Sequence, residues 1–143
     1  MDNNMRRSII LDNYEDKECR CRVEDNSYIR HNSRNVSCID NIDLYIKVED
    51  KIIKDIKFEG EACVISISTT SIMCKLLKGK SVDEAIEIVK NYDNMVEEKE
   101  YNKNILEDAI VFDDIYKQPS RKKCATLTWH GLLEELLKLK NNI

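Results

Sequence analysis

The feature that most constrains the fold is a set of three cysteines and one aspartate in widely separated segments. Cys38 and Asp40 stand two positions apart, Cys63 follows Cys38 after 25 positions, and Cys124 follows Cys63 after a further 61. Three thiolates and one carboxylate form a four-ligand set that suits zinc or a cluster iron. If these residues act together, the fold must bring three distant segments of the chain to one point.

A β-hairpin is predicted between Cys38 and Cys63. Apolar and polar residues alternate from 42 to 48 and again from 52 to 61, which is the period of half-buried strands. The polar turn at 49–51 joins the two segments as antiparallel neighbours. A further short strand is expected at 27–31, so the sheet should have about three strands.

Helical periodicity occupies the chain on both sides of the hairpin. A short helix is expected at 6–14, where apolar residues form a stripe. A second helix begins at Val64, where the period changes and small hydroxyl residues follow. Gly79 is the expected stop of this helix, because glycine readily adopts the backbone conformation that ends one.

Two more helices and a short one are predicted in the C-terminal half. Ser81 and Glu84 have the spacing of a capping box, which marks the start of a helix. A short helix is expected near 111–116. The last helix starts at Pro119 and carries an apolar face of leucines.

This order of elements predicts an α+β fold, in which a small antiparallel sheet packs against helices. A length of 143 residues suits one domain with a real core. The whole chain, 1–143, is therefore expected to form a single domain, with frayed ends at 1–5 and 139–143.

Composition and charge exclude several classes of function. The net charge is −4 with both signs interspersed, so no basic excess marks a nucleic-acid partner. No run approaches the roughly 20 apolar residues of a membrane helix, and the N-terminus lacks a signal peptide. These features predict a cytoplasmic protein without a membrane partner. Cytoplasmic cysteines stay reduced, so the six here are expected to be ligands, nucleophiles or small buried residues.

The predicted elements place the candidate ligands at element ends. Cys38 and Asp40 lead into the first hairpin strand, and Cys63 stands where the second strand ends and a helix begins. Cys124 is expected in the first turn of the last helix. At the start of a helix, the positive end of the dipole favours the thiolate that binds metal. Each cysteine taken alone could instead be a small buried apolar residue.

The chain resembles the SufU-type members of the IscU/NifU-like iron–sulfur cluster assembly proteins. The resemblance covers about 6–137. It rests on the runs at 42–48 and 57–63, the hydroxyl-rich helix start at 66–71, and the run at 124–129. It implies an IscU/SufU-like fold and a site made of Cys38, Asp40, Cys63 and Cys124.

The resemblance also implies a function, namely zinc-dependent sulfur transfer in iron–sulfur cluster assembly. Cys38 would be the sulfur acceptor, taking persulfide sulfur from a SufS-type, pyridoxal-phosphate cysteine desulfurase and serving downstream assembly proteins. Arg121 would contact the persulfide or the partner. Apart from the resemblance, Arg121, Lys122 and Lys123 together would offset the negative charge of such a site, and the alternative is a solvated basic turn.

Two other functions remain open at this point. The same ligands would serve a scaffold on which a 2Fe–2S cluster is assembled from iron, or a purely structural zinc domain. Scaffold-type relatives usually carry a histidine where this chain has Lys123, and have a shorter stretch between Cys63 and Cys124. Both differences favour the sulfurtransferase.

The chain departs from the family pattern in three places. Ile39 and Ala62 stand where relatives usually have glycine, and the charged segment 15–22 replaces a loop containing Asn-Pro. The backbone near the first two cysteines, and the way a partner docks there, are therefore expected to differ from those of typical members.

The remaining cysteines and histidines receive weaker roles. Cys19 and Cys21 could bind a second metal or relay sulfur, but incidental exposed thiols are the favoured interpretation, because two ligands do not complete a tetrahedral site. Cys74 is expected to pack in the core. His31 is the reserve ligand, and His130 is expected at the surface or at a partner contact.

Overall fold

The computed structural model describes residues 1–141 and has seven main elements. A three-stranded antiparallel sheet and four helices confirm the predicted α+β class. Three short 3-10 helices join the third α-helix to the fourth. The elements in chain order are α1 (Asn3–Glu15), β1 (Ile29–Arg34), β2 (Asn41–Glu49), β3 (Ile52–Glu61), α2 (Val64–Leu77), α3 (Val82–Val96), the 3-10 helices (Lys103–Ile105, Glu107–Phe112, Ile115–Lys117) and α4 (Pro119–Asn141).

The sheet has the order β1-β2-β3, and its hairpin is the predicted one. Glu49 pairs with Ile52, which leaves Asp50 and Lys51 as a two-residue turn. Both turn residues have positive φ, 54° and 63°. Such turns match the twist of the strands that they join. The short strand expected at 27–31 is present but lies slightly later, at Ile29–Arg34.

The predicted helix boundaries hold where a local signal marks them. Ser81 and Glu84 form the expected capping box, each side chain bonding the backbone N–H of the other residue. The short helix expected near 111–116 is instead two separate 3-10 segments. Residues 3–5 and 139–141 are helical. Residues 142–143 lie outside the described residues.

The core is built around α2, which packs against α1, α4 and β3 and is buried along almost its whole length. Trp129 lies in this core and stacks on Tyr92 of α3 with ring centroids 3.8 Å apart. Among residues 1–141, no helix has both the length and the apolar character needed to cross a membrane.

Buried hydroxyl groups fix the position of α4 along α2. The Thr70 and Thr128 hydroxyls lie 2.8 Å apart, and Trp129 Nε1 donates to Thr69 Oγ1 at 2.8 Å. The Tyr92 hydroxyl donates to the Ala125 carbonyl at 2.7 Å. Because these groups are buried, sliding one helix along the other would leave them unpaired at substantial cost. These hydrogen bonds therefore fix the position of α4 along the axis of α2.

Candidate metal centre

Four side chains gather at one end of the sheet, next to the starts of α2 and α4. Each offers a ligand atom, and these atoms all lie within 4.8 Å of one another. They come from the loop between β1 and β2, the junction of β3 with α2, and the N-terminal part of α4. These are the four residues singled out from the sequence: Cys38, Asp40, Cys63 and Cys124.

Strand pairing brings the first three ligand residues together. Asn41 at the start of β2 pairs with Glu61 at the end of β3, so the residues just outside these strands are neighbours. The Cys63 N–H donates to Asp40 Oδ1 at 2.9 Å. The strands come so close here that a Cβ on Gly60 would lie 2.1 Å from the Asn41 carbonyl oxygen. Any residue with a Cβ at this position would therefore push the ends of the two strands apart.

Asp40 is an ionised carboxylate held in a buried place, only 1% exposed. Burial opposes its ionisation, but hydrogen bonds from the Cys63 amide and the Ser66 hydroxyl outweigh burial and lower its pKa. The Ser66 hydroxyl donates to Oδ2 at 2.7 Å, and Cys38 Sγ lies 3.6 Å from Oδ1. The carboxylate is thus fixed in orientation and charged at neutral pH.

Cys63 is the N-cap residue of α2, as its predicted place at the strand–helix junction implied. Its Sγ accepts a hydrogen bond from the Ser66 N–H at 3.5 Å. That N–H is one of the free donors at the positive end of the helix dipole. The sulfur therefore lies where a negative charge is stabilised.

The prediction for Cys124 was wrong in two respects. Since α4 starts at Pro119, Cys124 is its sixth residue and lies in the second turn, beyond the N–H groups left free at the terminus. Its thiol also gains no stabilisation of the charged form. Burial raises the pKa of Cys124, and the nearby Asp40 and Cys63 raise it further. Without a cation, this thiol stays protonated at neutral pH.

The spacing and chemistry of the four groups fit a small divalent ion. Zinc–sulfur bonds of about 2.3 Å in a tetrahedron place neighbouring sulfurs about 3.8 Å apart, and the ligand atoms here all lie within 4.8 Å of one another. An ion would also supply the positive charge that a buried carboxylate and three thiolates need. The donor set therefore suits zinc or an iron cluster.

The centre is open on one side only. Cys38 is exposed and Cys63 partly so, whereas Asp40 and Cys124 are buried. Ile39 points into solvent with 68% of its surface exposed, and Val36 in the same loop is more exposed still. Two exposed apolar side chains thus lie in the same loop as the accessible thiol.

Basic residues flank the centre at the start of α4. Arg121 is exposed one turn before Cys124, and its side chain has no ion pair or hydrogen bond within residues 1–141. Lys122 is bound to Glu97, with nitrogen and oxygen 3.0 Å apart. Arg121 and the exposed Lys123 therefore remain available to an anion near the start of α4.

Two residues named from the sequence lie outside the centre. The reserve ligand His31 lies in β1, and its Nδ1 contacts Glu135 of α4 at 2.6 Å. Cys74 is fully buried in the core, as expected.

The interpretation of Cys19 as an exposed thiol was wrong, because its side chain is only 4% exposed. The Cys19 carbonyl accepts the Phe58 N–H at 2.9 Å, so this segment runs along the free edge of β3 and turns the thiol inward. Cys21, two residues later, is exposed as expected.

His130 lies at the surface, as predicted, and is paired with Asp93 at 2.7 Å. The hydrogen bond to Asp93 raises the pKa of His130 above its ordinary value. The pair therefore stabilises the fold fully below about pH 6.5, and this contribution is lost as pH rises through the folded-state pKa. An NMR titration should show a His130 midpoint that falls in Asp93→Asn. Equal midpoints in the two proteins would contradict the pairing.

Sequence reasoning did not single out Ser66, although it contacts three of the four ligand residues. It was one of several hydroxyl residues at the start of a helix. The available signal was its position three residues after Cys63, because an N-cap side chain bonds the N–H at this spacing.

The fold and the centre together define a class. A three-stranded antiparallel sheet packed against helices is the architecture of the IscU/NifU-like assembly proteins, and in this chain three cysteines and an aspartate gather at one end of that sheet. The family model for the NifU-like N-terminal domain matches residues 5–125, and the chain belongs to this family.

Individual relatives are similar over nearly the whole chain. The iron–sulfur cluster assembly scaffold protein IscU of Thermotoga maritima is 36% identical, covering 91% of each chain. The zinc-dependent sulfurtransferase SufU of Bacillus subtilis is 35% identical, covering 92% of this chain and 89% of its own. A protein of Fervidobacterium islandicum, whose crystal structure is described as that of a putative iron–sulfur cluster assembly scaffold protein for the SUF system, is 35% identical in sequence. Its TM-score is 0.84, with 92% of this chain and 96% of that chain covered.

Proposed function

We propose that this protein is a zinc-dependent sulfurtransferase of iron–sulfur cluster assembly. It would receive persulfide sulfur on Cys38 from a SufS-type cysteine desulfurase and pass it to downstream assembly proteins. The observation that carries the proposal is the one-sided exposure of the centre. Cys38 alone among the four ligand residues is exposed, whereas Asp40 and Cys124 are enclosed.

Zinc would be held by Cys38, Asp40, Cys63 and Cys124. When bound, it would keep the thiols deprotonated and offset the negative charge of the site. The buried Cys124 and Asp40 would form its fixed side, away from solvent. The carboxylate is the hardest ligand of the set, which suits a centre whose ligands exchange.

The transfer step is a thiol–persulfide exchange without net oxidation. Cys38 Sγ attacks the outer sulfur of the desulfurase persulfide, and a new sulfur–sulfur bond forms on Cys38. The sulfur–sulfur bond of the donor breaks, and the desulfurase cysteine leaves as a thiolate that takes up a proton. Exposure of Cys38 gives the donor access, which a buried thiol would deny.

The surface around Cys38 suits the approach of an anionic persulfide on a protein partner. Exposed Val36 and Ile39 offer apolar contacts, and the exposed Arg121 and Lys123 offer positive charge nearby. We assign Arg121 the role of contacting the persulfide or the partner. A reduced, cytoplasmic setting fits this chemistry, because the thiols must stay free.

A cluster scaffold is the second candidate function. The same four groups suit a 2Fe–2S cluster, and the relative from Thermotoga maritima is named as a scaffold. The residue before Cys124 favours sulfur transfer, since it is an exposed lysine and not a further ligand. Both histidines are paired with carboxylates elsewhere.

Metal and acid-labile sulfide content, measured on protein purified without oxygen, tests the proposal. We expect about one zinc per chain and no sulfide. Iron with matching sulfide would favour the scaffold instead. Asp40→Ala should then lower zinc retention or desulfurase-dependent sulfur transfer by at least about tenfold, because it removes a ligand.

The control for this substitution is Asp43→Ala. Asp43 lies three positions further on and pairs with the exposed Arg30 at the surface of the sheet. It should retain wild-type zinc and activity. Intact zinc retention and intact transfer in Asp40→Ala would contradict the ligand assignment.

A further inference from the structure

We propose that Ser66 is a positioning residue of the metal centre, which holds Asp40 so that a single carboxylate oxygen faces the ion. The inference rests on the proposed function, since it assumes that the four residues bind a metal. It adds a residue outside the ligand set and says what that residue does.

The hydrogen bond between Ser66 and Asp40 is short and is buried away from water. Ser66 Oγ donates to Asp40 Oδ2 at 2.7 Å, and the two residues are 0% and 1% exposed. A hydrogen bond to a carboxylate is stronger than one between neutral groups, and exclusion of water strengthens it further. The orientation of the carboxylate is therefore set by this hydroxyl.

The two carboxylate oxygens face different groups. Oδ1 lies 3.6 Å from Cys38 Sγ and accepts the Cys63 N–H, so it is the oxygen on the side of the thiols. Oδ2 is turned to Ser66. Both oxygens accept hydrogen bonds, but Oδ1 is the one that lies beside the Cys38 thiol, and the Ser66 hydroxyl holds Oδ2 away from it, which places Oδ1 to bind an ion. This arrangement favours four-coordination with one carboxylate oxygen.

Ser66 also joins the segments that supply the ligands. Its N–H donates to Cys63 Sγ at 3.5 Å, and its Oγ lies 3.1 Å from the Cys124 carbonyl oxygen. One residue thus contacts the loop before β2, the cap of α2 and the second turn of α4. Removing the hydroxyl breaks the side-chain contacts but leaves the backbone contact to Cys63 in place.

A matched control is available on the same helix. Ser68 is equally buried, but its hydroxyl donates to the Val64 and Ile65 carbonyls, at 2.7 and 3.2 Å, within α2 itself. Ser68→Ala therefore removes a buried hydroxyl from α2 without touching a ligand. Ser66→Ala removes the same group where it meets Asp40.

The test measures zinc affinity by competition with a chromophoric chelator, and the visible absorption of the protein loaded with Co²⁺. We expect Ser66→Ala to weaken zinc binding by about 10- to 100-fold, as is usual when an outer partner of a ligand is lost. The visible absorption bands of bound Co²⁺ should weaken in this variant, because the freed Oδ2 would also bind the ion and raise its coordination number above four. Ser68→Ala should stay within about threefold of wild type and keep its spectrum.

An Asp40→Ala background shows whether Ser66 acts through the carboxylate. We expect Ser66→Ala to change zinc affinity by less than about threefold there, because its partner is gone. The role of Ser66 is overturned by a wild-type affinity and spectrum in Ser66→Ala, or by an equally large loss in both backgrounds. Wild-type protein that binds neither ion would overturn the metal centre itself, and this role with it.

Discussion

Alanine at position 38 is expected to reduce sulfur acceptance to background, at least about a thousandfold, while the protein stays folded. Cys38 is the exposed thiol of the centre and the proposed nucleophile, so no remaining group replaces it at the same place. An exposed cysteine contributes little packing, so stability should change by less than about 0.5 kcal/mol. Trapping of persulfide by alkylation after incubation with a desulfurase, followed by mass spectrometry, measures the transfer.

The matched control is Cys21→Ala, which removes another exposed cysteine, in the segment before β1. It should accept sulfur as wild type does. Sulfur found on Cys63 or Cys124 at the wild-type rate in Cys38→Ala would place the acceptor elsewhere. Loss of transfer in Cys21→Ala would instead show a relay through that segment.

Gly60→Ala is expected to damage both the fold and the centre. Its backbone has φ of +141°, and a Cβ would lie 2.1 Å from the carbonyl oxygen of Asn41 on the paired strand. Relief requires the ends of β2 and β3 to separate, next to the contact between Asp40 and Cys63. We expect a loss of about 2–4 kcal/mol in the free energy of unfolding and at least tenfold weaker zinc binding.

Gly79→Ala is a control that introduces backbone strain without the steric clash expected in Gly60→Ala. Gly79 also has a positive φ, +89°, but no atom lies within 4 Å of its added Cβ. It should cost about 1–2 kcal/mol through strain alone and leave zinc affinity unchanged. Denaturant unfolding and chelator competition measure both quantities. Equal zinc affinities in the two alanine variants would show that the strand ends do not position the ligands.

The sequence predicts those parts of the fold that are coded locally. The alternating pattern around Asp50 and Lys51 specifies a hairpin, and the Ser81–Glu84 spacing specifies a cap, because each signal acts within a few residues. The gathering of Cys38 and Cys63 follows from the same hairpin, since strand pairing makes its two ends neighbours.

The missed features depend on contacts between distant segments. The burial of Cys19 is set by the free edge of β3, to which its segment bonds through Phe58. The protonated state of Cys124 follows from its depth beside Asp40. The role of Ser66 exists only because α2 lies against both the loop before β2 and the start of α4. No pattern within a few residues encodes such contacts.

The fixed register of α2 and α4 has a consequence for the order of events during synthesis. Cys124 follows Cys63 by 61 positions, which at 5–20 residues per second corresponds to about 3–12 seconds of translation. Until Thr128 and Trp129 have been made, α4 cannot dock on α2, and the first three ligands wait with one side of the centre missing. Stable capture of a metal is thus deferred until α4 has been made, and a chain released before that point is left with an incomplete centre.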